Sequence, residues 1–125
     1  MSRILVVEDD RILCLLLKTL LKRMGHEVLA MVDNGEAALQ AVRSGLPDII
    51  LMDIKIEGPI DGIETVVEIK KIAEIPVIYT SGNSDPSTLK RAQDSGCEAF
   101  LVKPIIETEL RNEIDKVLAK KQSPI

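Results

Sequence analysis

The chain of 125 residues is predicted to form one α/β domain built on a doubly wound, five-stranded parallel sheet of order 2-1-3-4-5. The first observation behind this prediction is that short β-branched runs alternate five times with longer segments of helical period. The second is that the strand-like runs are almost continuously apolar, as in parallel sheets covered by helices on both faces. The third is the chain length, which suits a single domain of this kind.

The elements are predicted to follow one another as five pairs of a strand and a helix. The strands are predicted at residues 3–8, 26–31, 48–53, 76–81 and 98–102. The helices are predicted at residues 10–24, 35–44, 62–73, 85–95 and 106–120. Right-handed crossovers place helices on both faces of such a sheet, and the predicted order sets the first and third strands side by side.

Glycine, proline and capping residues justify these boundaries. Glycines follow the first, second and fourth helices, at Gly25, Gly45 and Gly96. Prolines introduce the third and fourth strands, at Pro47 and Pro76. The pairs Asn34-Gly35 and Asp85-Pro86 open the second and fourth helices. We therefore assign residues 1–121 to the domain and residues 122–125 to a tail or the start of a truncated linker.

Composition and charge argue against several classes of protein. The net charge is −4, the isoelectric point is near 5.0, and no run of Lys or Arg exceeds two, so a nucleic-acid surface is not expected. The two cysteines, Cys14 and Cys97, lie far apart among apolar residues, which is typical of reduced thiols. No signal peptide or apolar stretch of about 18 residues occurs. We expect a soluble cytoplasmic protein that binds no membrane.

Charged residues follow three of the predicted strands. Asp53 closes the apolar third strand, Glu8 and Asp9 follow the first, and Lys103 follows the fifth. Because the carboxyl ends of parallel strands meet at one edge of a sheet, these side chains are expected to converge there. Carboxylates without sulfur or imidazole favour Mg²⁺ or Mn²⁺. Without an ion, crowding should raise the pKa of one of the carboxyl groups.

This combination of residues suits phosphoryl chemistry. Acids that hold Mg²⁺ can assist a substrate phosphate, or one of them can itself accept a phosphoryl group. Lys103 favours the second role for Asp53, since an ammonium beside it would pair with the carboxylate before transfer and with a phosphoryl oxygen afterwards. Ser81 or Thr80 would add a hydroxyl, and Ser81 is preferred because it precedes Gly82. No general base is evident.

Over nearly its whole length the sequence resembles the receiver domain of the response regulators of two-component signal transduction systems. The residues that carry the resemblance are Glu8-Asp9, Asp53, Asp61-Gly62, Ser81-Gly82 and Lys103-Pro104. The resemblance implies a flavodoxin-like fold of five βα units. It also implies a phosphoprotein that takes part in a phosphorelay and acts as a switch, not as a turnover enzyme. The donor would be a sensor histidine kinase or a phosphotransfer protein.

The resemblance also implies roles for single residues. Asp53 would be the phosphoacceptor, and Ser81 and Lys103 would contact the phosphoryl group. Mg²⁺ would be held by Asp9, Asp53 and the backbone carbonyl of Lys55, with Glu8 acting through water. Phe100 would be the aromatic residue that switches together with Ser81. The peptide bond before Pro104 is usually cis in the family. A homodimer through the fourth helix, fifth strand and fifth helix is compatible with the resemblance, but no residue singles it out.

The sequence departs from the family pattern in three places. The loop of residues 54–60 is one residue longer than the commonest spacing, Ile105 replaces an aromatic residue, and Phe100 replaces a frequent Tyr. These departures keep open a pseudo-receiver that binds partners without phosphorylation. An aspartyl-phosphate phosphatase is disfavoured because Lys55 stands where a second acid is needed. A nucleotide or flavin binder is disfavoured because acids, not glycines, follow the first strand.

The first helix carries more apolar residues than one buried face requires. The predicted core stripe comprises Leu13, Leu16, Leu17, Leu20 and Met24. Ile12, Leu15 and Leu21 lie off this stripe. Surplus apolar surface next to the acidic site predicts a partner, and we expect Ile12 and Leu15 to help dock a phosphohistidine donor.

Overall fold

The computed structural model describes residues 2–122 and confirms the predicted fold. Five parallel strands form one sheet of order β2-β1-β3-β4-β5. The strands are β1 (Arg3–Val7), β2 (Glu27–Val32), β3 (Ile49–Asp53), β4 (Val77–Ser81) and β5 (Ala99–Val102). The helices are α1 (Arg11–Arg23), α2 (Gly35–Gly45), α3 (Gly62–Lys70), α4 (Pro86–Asp94) and α5 (Glu107–Gln122).

The predicted boundaries are closely reproduced except at the end of α3. This helix ends at Lys70 and not at residue 73, because the amides of Lys71 and Ile72 bond to carbonyls only three residues back and tighten the chain into a turn. The α5 helix continues to Gln122. Residues 123–125, which hold most of the predicted tail, lie outside the described part of the chain.

The sheet separates two apolar cores because side chains alternate along each strand. On β1, Leu5 and Val7 face one core, and Ile4 and Val6 face the other. The first core is closed by α2, α3 and α4 through Ala38, Val42, Ile63, Val66, Ile69 and Ala92. The second is closed by α1 and α5 through Leu17, Leu20, Leu21, Leu110, Ile114 and Val117. This is the doubly wound arrangement that the apolar strands predicted.

The prediction for the buried face of α1 was wrong for two leucines. Leu21 is fully buried, whereas Leu16 is 45% exposed. Both residues fit a helical stripe, but the helix is rotated so that Leu17 and Leu21, one turn apart, pack in the same core as Leu110 and Ile114 of α5. Ile12 and Leu15 are exposed, as predicted. No helix within residues 2–122 has the length and apolar character needed to cross a membrane.

Candidate functional site

The register of the sheet brings charged residues from three strands to one edge. Val7 pairs with Met52, so that Glu8 follows β1 at the level at which Asp53 ends β3. Ser81 pairs with Val102, so that Lys103 follows β5 next to the end of β4. The amide of Lys103 also donates to the Ser81 carbonyl oxygen at 2.8 Å. The three parallel strand ends therefore converge as the sequence predicted.

Lys103 pairs with two buried carboxylates at this edge. Its Nζ lies 3.1 Å from Asp53 Oδ2 and 3.0 Å from Glu8 Oε1. Asp53 is only 4% exposed and Glu8 only 3%, while the Lys103 side chain keeps 25% of its surface in solvent. Buried charges are costly unless they are paired. One ammonium shared by two buried carboxylates leaves an excess of negative charge.

This excess of negative charge, together with one unpartnered oxygen, fits a divalent cation. Oxygen atoms of Glu8, Asp9 and Asp53 lie within 4.8 Å of one another. Glu8 Oε1 is buried without a hydrogen bond, since Lys103 is at ion-pair distance but not in hydrogen-bond geometry. Asp9 is exposed and gives the cluster access to solvent. An all-oxygen set open on one side suits Mg²⁺, which retains several waters in protein sites.

The local electrostatics follow from this burial. Burial raises the pKa of Glu8, and the neighbouring Asp53 raises it further, while the Asp10 amide and Lys103 only partly oppose the shift. The sequence predicted a raised carboxyl pKa from crowding, and at Glu8 burial is the larger cause and the neighbouring Asp53 a smaller one. For Lys103, burial lowers the pKa, but the contacts with Glu8 and Asp53 outweigh it, so the net shift is upward. The ammonium therefore stays charged at physiological pH.

The loop after Asp53 is held tightly to the site. We call residues 54–61 the β3–α3 loop. The Lys55 amide donates to Asp53 Oδ1 at 3.2 Å, and the Gly62 amide donates to the Ile54 carbonyl oxygen at 2.7 Å. A side chain at Gly62 would collide with the Asp53 carbonyl oxygen, which explains the need for glycine there. Asp61 and Glu64 form a reciprocal capping box at the start of α3.

Known proteins share both this geometry and the sequence pattern. The family model for the response regulator receiver domain matches residues 4–115 of this chain. The chain belongs to the response regulator receiver domain family. Receiver domains are switches in phosphorylation-based signalling, they bind Mg²⁺ at an acidic pocket, and Glu8, Asp9 and Asp53 form an acidic pocket here.

Individual relatives support the assignment. The chemotaxis protein CheY of Bacillus subtilis is 33% identical over 117 residues, which cover 93% of this chain and 97% of CheY. The signal receiver domain of a modulated diguanylate cyclase from Desulfovibrio desulfuricans G20 is 32% identical, with a TM-score of 0.90 over 98% of this chain and 97% of that one. The transcriptional regulatory protein ZraR of Klebsiella oxytoca is 38% identical over 93% of this chain, which spans only 26% of ZraR.

Two further predicted site residues of the receiver domain lie on the neighbouring strands β4 and β5. Ser81 follows Thr80, the β4 residue that pairs with Asp53, and is 4% exposed. Its hydroxyl donates to the Asn83 carbonyl oxygen at 2.9 Å and accepts from the Asn83 amide at 3.0 Å. Phe100 is half-buried and packs against the core beneath α2, α3 and α4. The predicted cis peptide bond between Lys103 and Pro104 is present.

Two contacts near the site were not predicted from the sequence. The Cys14 thiol donates to the Glu8 carbonyl oxygen at 3.4 Å, and burial together with the nearby acids raises the pKa of this thiol. Arg91 of α4 pairs with Asp61 at the end of the β3–α3 loop, with Nη2 and Oδ2 2.9 Å apart. The acids around Cys14 were visible in the sequence, but the rotation of α4 that points Arg91 toward Asp61 was not.

Proposed function

We propose that this receiver domain is a phosphorylation-dependent switch. Asp53 accepts a phosphoryl group from a phosphohistidine of a sensor histidine kinase or phosphotransfer protein. The observation that carries the proposal is the pairing of a buried Asp53 carboxylate with Lys103 at 3.1 Å, beside two further acids. In this role the domain turns over no other substrate. The signal is the presence or absence of a phosphoryl group on Asp53.

The transfer requires a nucleophile and charge neutralisation but no general base. An Asp53 oxygen forms a bond to phosphorus as the bond from phosphorus to the histidine nitrogen breaks. The electron pair stays on that nitrogen, and the imidazole, which keeps a proton on its other nitrogen, leaves as a neutral ring. Glu8, Asp9, Asp53 and the Lys55 carbonyl would hold Mg²⁺. The ion, when bound, offsets the negative charge around phosphorus.

Lys103 and Ser81 have distinct proposed tasks in this transfer. Lys103 already donates to Asp53 Oδ2 and would donate to a phosphoryl oxygen after transfer. The Ser81 hydroxyl would exchange its bond to the Asn83 carbonyl oxygen for one to the phosphoryl group. We propose that Ser81 and Phe100 together relay this exchange to the face formed by α4, β5 and α5. Such a relay needs a two-state element biased by the phosphoryl contacts.

The exposed apolar residues of α1 support a docking surface for the phosphohistidine donor. Ile12 is 80% exposed, Leu15 is 67% exposed, and Leu16 adds further apolar surface. These residues lie on the helix that begins just after Glu8 and Asp9, so a donor docked here can reach Asp53. Leu15→Glu should slow transfer from the cognate kinase but leave phosphorylation by a small phosphodonor unchanged. Equal transfer rates from the kinase would refute this surface.

The test of the proposed function is the intact mass after incubation with phosphoramidate and Mg²⁺. We expect a gain of one phosphoryl group that is absent without Mg²⁺ and absent in Asp53→Asn. Asp48→Asn is the matched control, because it removes an acid just before the other end of β3 and should leave the gain intact. No adduct on the wild type, under conditions that phosphorylate a control receiver domain, would favour a pseudo-receiver.

Lys55 is predicted to prolong the phosphorylated state. It is exposed, follows Asp53 by two residues, and its amide already bonds to the Asp53 carboxylate. Its ammonium can pair with a phosphoryl oxygen and obstruct the approach of water. Lys55→Ala should shorten the half-life of the phosphoryl group about two- to five-fold, in line with one exposed ion pair. The half-life is measured by loss of the mass adduct, and an unaltered or longer half-life would count against this role.

A further inference from the structure

The α4 helix is weakly anchored in comparison with its neighbour. Ala92 is the only residue of α4 that is buried. In contrast, α3 buries Gly62, Ile63, Thr65, Val66 and Ile69. Because one alanine supplies little apolar contact, the placement of α4 depends on polar contacts as well. Two such contacts join it to the rest of the described chain.

The two polar contacts lie near the C-terminal end of the helix. The Tyr79 hydroxyl of β4 and the Ser95 hydroxyl, just after α4, are 2.7 Å apart. The second contact is the ion pair of Arg91 with Asp61. The first joins α4 to the core of the sheet. The second joins it to the β3–α3 loop, and therefore to the candidate site.

The β3–α3 loop connects this ion pair to Asp53 over a short, closed path. At one end, the Lys55 amide donates to Asp53 Oδ1. At the other end, Asp61 precedes Gly62, whose amide donates to the Ile54 carbonyl oxygen. This hydrogen bond closes the loop into a ring. A displacement of Asp61 is thus transmitted to the segment that orients the Asp53 carboxylate.

The two oxygens of Asp61 have separate partners. Oδ1 accepts from the Glu64 amide at 2.8 Å and caps α3, whereas Oδ2 accepts from Arg91 at 2.9 Å. Asparagine is as good a capping residue as aspartate, so Asp61→Asn retains the cap and removes only the charge that faces α4. The chain therefore allows the ion pair to be broken from either side without loss of the capping contact.

We infer that Arg91 is a positioning residue for the proposed phosphorylation site: through Asp61 it holds the β3–α3 loop in the conformation that presents the Asp53 carboxylate to Mg²⁺ and a phosphoryl group. This inference rests on the proposed function. Coupling of this kind is reciprocal, so occupancy of the site also stabilises the position of α4. The Arg91 side chain is 49% exposed and that of Asp61 is 29% exposed, so the coupling is modest and weakened by salt.

The test is the affinity for beryllofluoride with Mg²⁺, a stable mimic of the phosphoryl group, measured by titration calorimetry at low ionic strength. Arg91→Ala and Asp61→Asn should each weaken binding about two- to five-fold. The double variant should be no weaker than either single variant, because both remove the same contact. Arg91→Lys, which keeps the charge, should recover part of the affinity.

Lys90→Ala is the matched control, because Lys90 pairs only with Asp94 of its own helix. It should bind beryllofluoride as the wild type does, and its urea midpoint should equal that of Arg91→Ala. Addition of about 0.5 M salt should abolish the difference between Arg91→Ala and Lys90→Ala.

Two results would overturn the inference and are distinguishable from failure of the proposed function. If the wild type binds beryllofluoride but Arg91→Ala and Lys90→Ala bind equally well, Arg91 positions nothing. Strict additivity of Arg91→Ala and Asp61→Asn would likewise show that the two residues act independently. If the wild type itself does not bind the mimic, the proposed function fails and the inference fails with it.

Discussion

The two ends of the sheet both carry acids and bases, but they pair them differently. We call Glu8, Asp9, Asp53 and Lys103 the carboxyl edge, and Arg3, Asp48, Glu98, Lys120 and Lys121 the amino edge. At the amino edge, Lys120 pairs with Glu98 at 3.3 Å and Lys121 with Asp48 at 3.4 Å, with side chains 30–76% exposed. At the carboxyl edge, two of the acids are buried and one lysine serves both.

The pKa shifts at the two edges have opposite directions. The amide of Arg3 and the ammonium of Lys121 lower the pKa of Asp48, whereas burial raises the pKa of Glu8. A lowered carboxyl pKa adds stability above the unfolded value, and a raised one removes stability as the pH rises. The contacts of Asp48 at the amino edge therefore stabilise the fold above the unfolded pKa, while ionisation of Glu8 at the carboxyl edge costs stability. The comparison teaches that acids paired in solvent stabilise this fold, whereas acids buried together do so less well.

The contrast between the two edges is tested most sharply by replacing one lysine at each edge. Lys103→Met leaves two buried carboxylates without their cation and should lower the free energy of unfolding by about 3 kcal/mol at pH 7. Lys120→Met removes an exposed partner of Glu98 and should change it by less than about 0.5 kcal/mol. Urea unfolding without Mg²⁺ measures both, and equal losses would contradict the contrast between the edges.

Mg²⁺ should stabilise the carboxyl edge alone. At ten times its dissociation constant, an ion that binds only the folded state raises the free energy of unfolding by about 1.4 kcal/mol. Glu8→Gln should lose part of this gain because Glu8 belongs to the acidic cluster that we propose holds the ion. The matched variant at the amino edge, Glu98→Gln, should keep the full gain. Thermal unfolding with and without Mg²⁺ measures the gain of each variant. Equal gains in Glu8→Gln and Glu98→Gln would contradict this prediction.

The smallest expected effect is the pH dependence of the amino edge. Asp48 accepts from the Arg3 amide at 2.8 Å, and this contact is the main cause of its lowered pKa. Because the folded pKa is below the unfolded value of 3.8, Asp48 adds stability above that pH and loses it as the pH falls through the folded pKa. Asp48→Asn should cost a few tenths of a kcal/mol at pH 6.

The loss in Asp48→Asn should shrink as the pH falls below 3.8, because the unfolded wild type then takes up a proton at Asp48 more readily than the folded protein does. Urea unfolding between pH 6 and pH 3 measures this convergence. A difference that stays constant over the whole range would mean that the charge of Asp48 contributes nothing. Lys120→Ala, which leaves Asp48 and both of its partners in place, serves as the control.

The features that the sequence predicted are those that depend on local pattern. A strand buried on both faces must be continuously apolar, so the charge of Asp53 at the end of β3 marked both the strand end and the site. The same reasoning located Glu8 and Lys103, because parallel strands end at the same edge. Right-handed crossovers accounted for the helices on both faces, and the order 2-1-3-4-5 was predicted as one of the common orders of a doubly wound sheet.

The features that the sequence did not predict depend on how a helix is rotated or where a loop lies. Leu16 and Leu21 fit a helical stripe equally well, and only packing in the core shared with α5 decides between them. Arg91 and Asp61 are 30 residues apart, and their contact depends on the rotation of a helix that buries only Ala92. The spacing of apolar residues along the sequence therefore predicts little about the rotation of such a helix.

Tyr79 gives the protein a single built-in spectroscopic probe. It is the only tyrosine, there is no tryptophan, and its ring is fully buried under α4. Burial raises the pKa of its hydroxyl to about 12, and the Ser95 hydroxyl is its hydrogen-bond partner. Tyrosine fluorescence and alkaline titration of absorbance therefore report on one place only, the attachment of α4. Motion of α4 can thus be followed optically without any label.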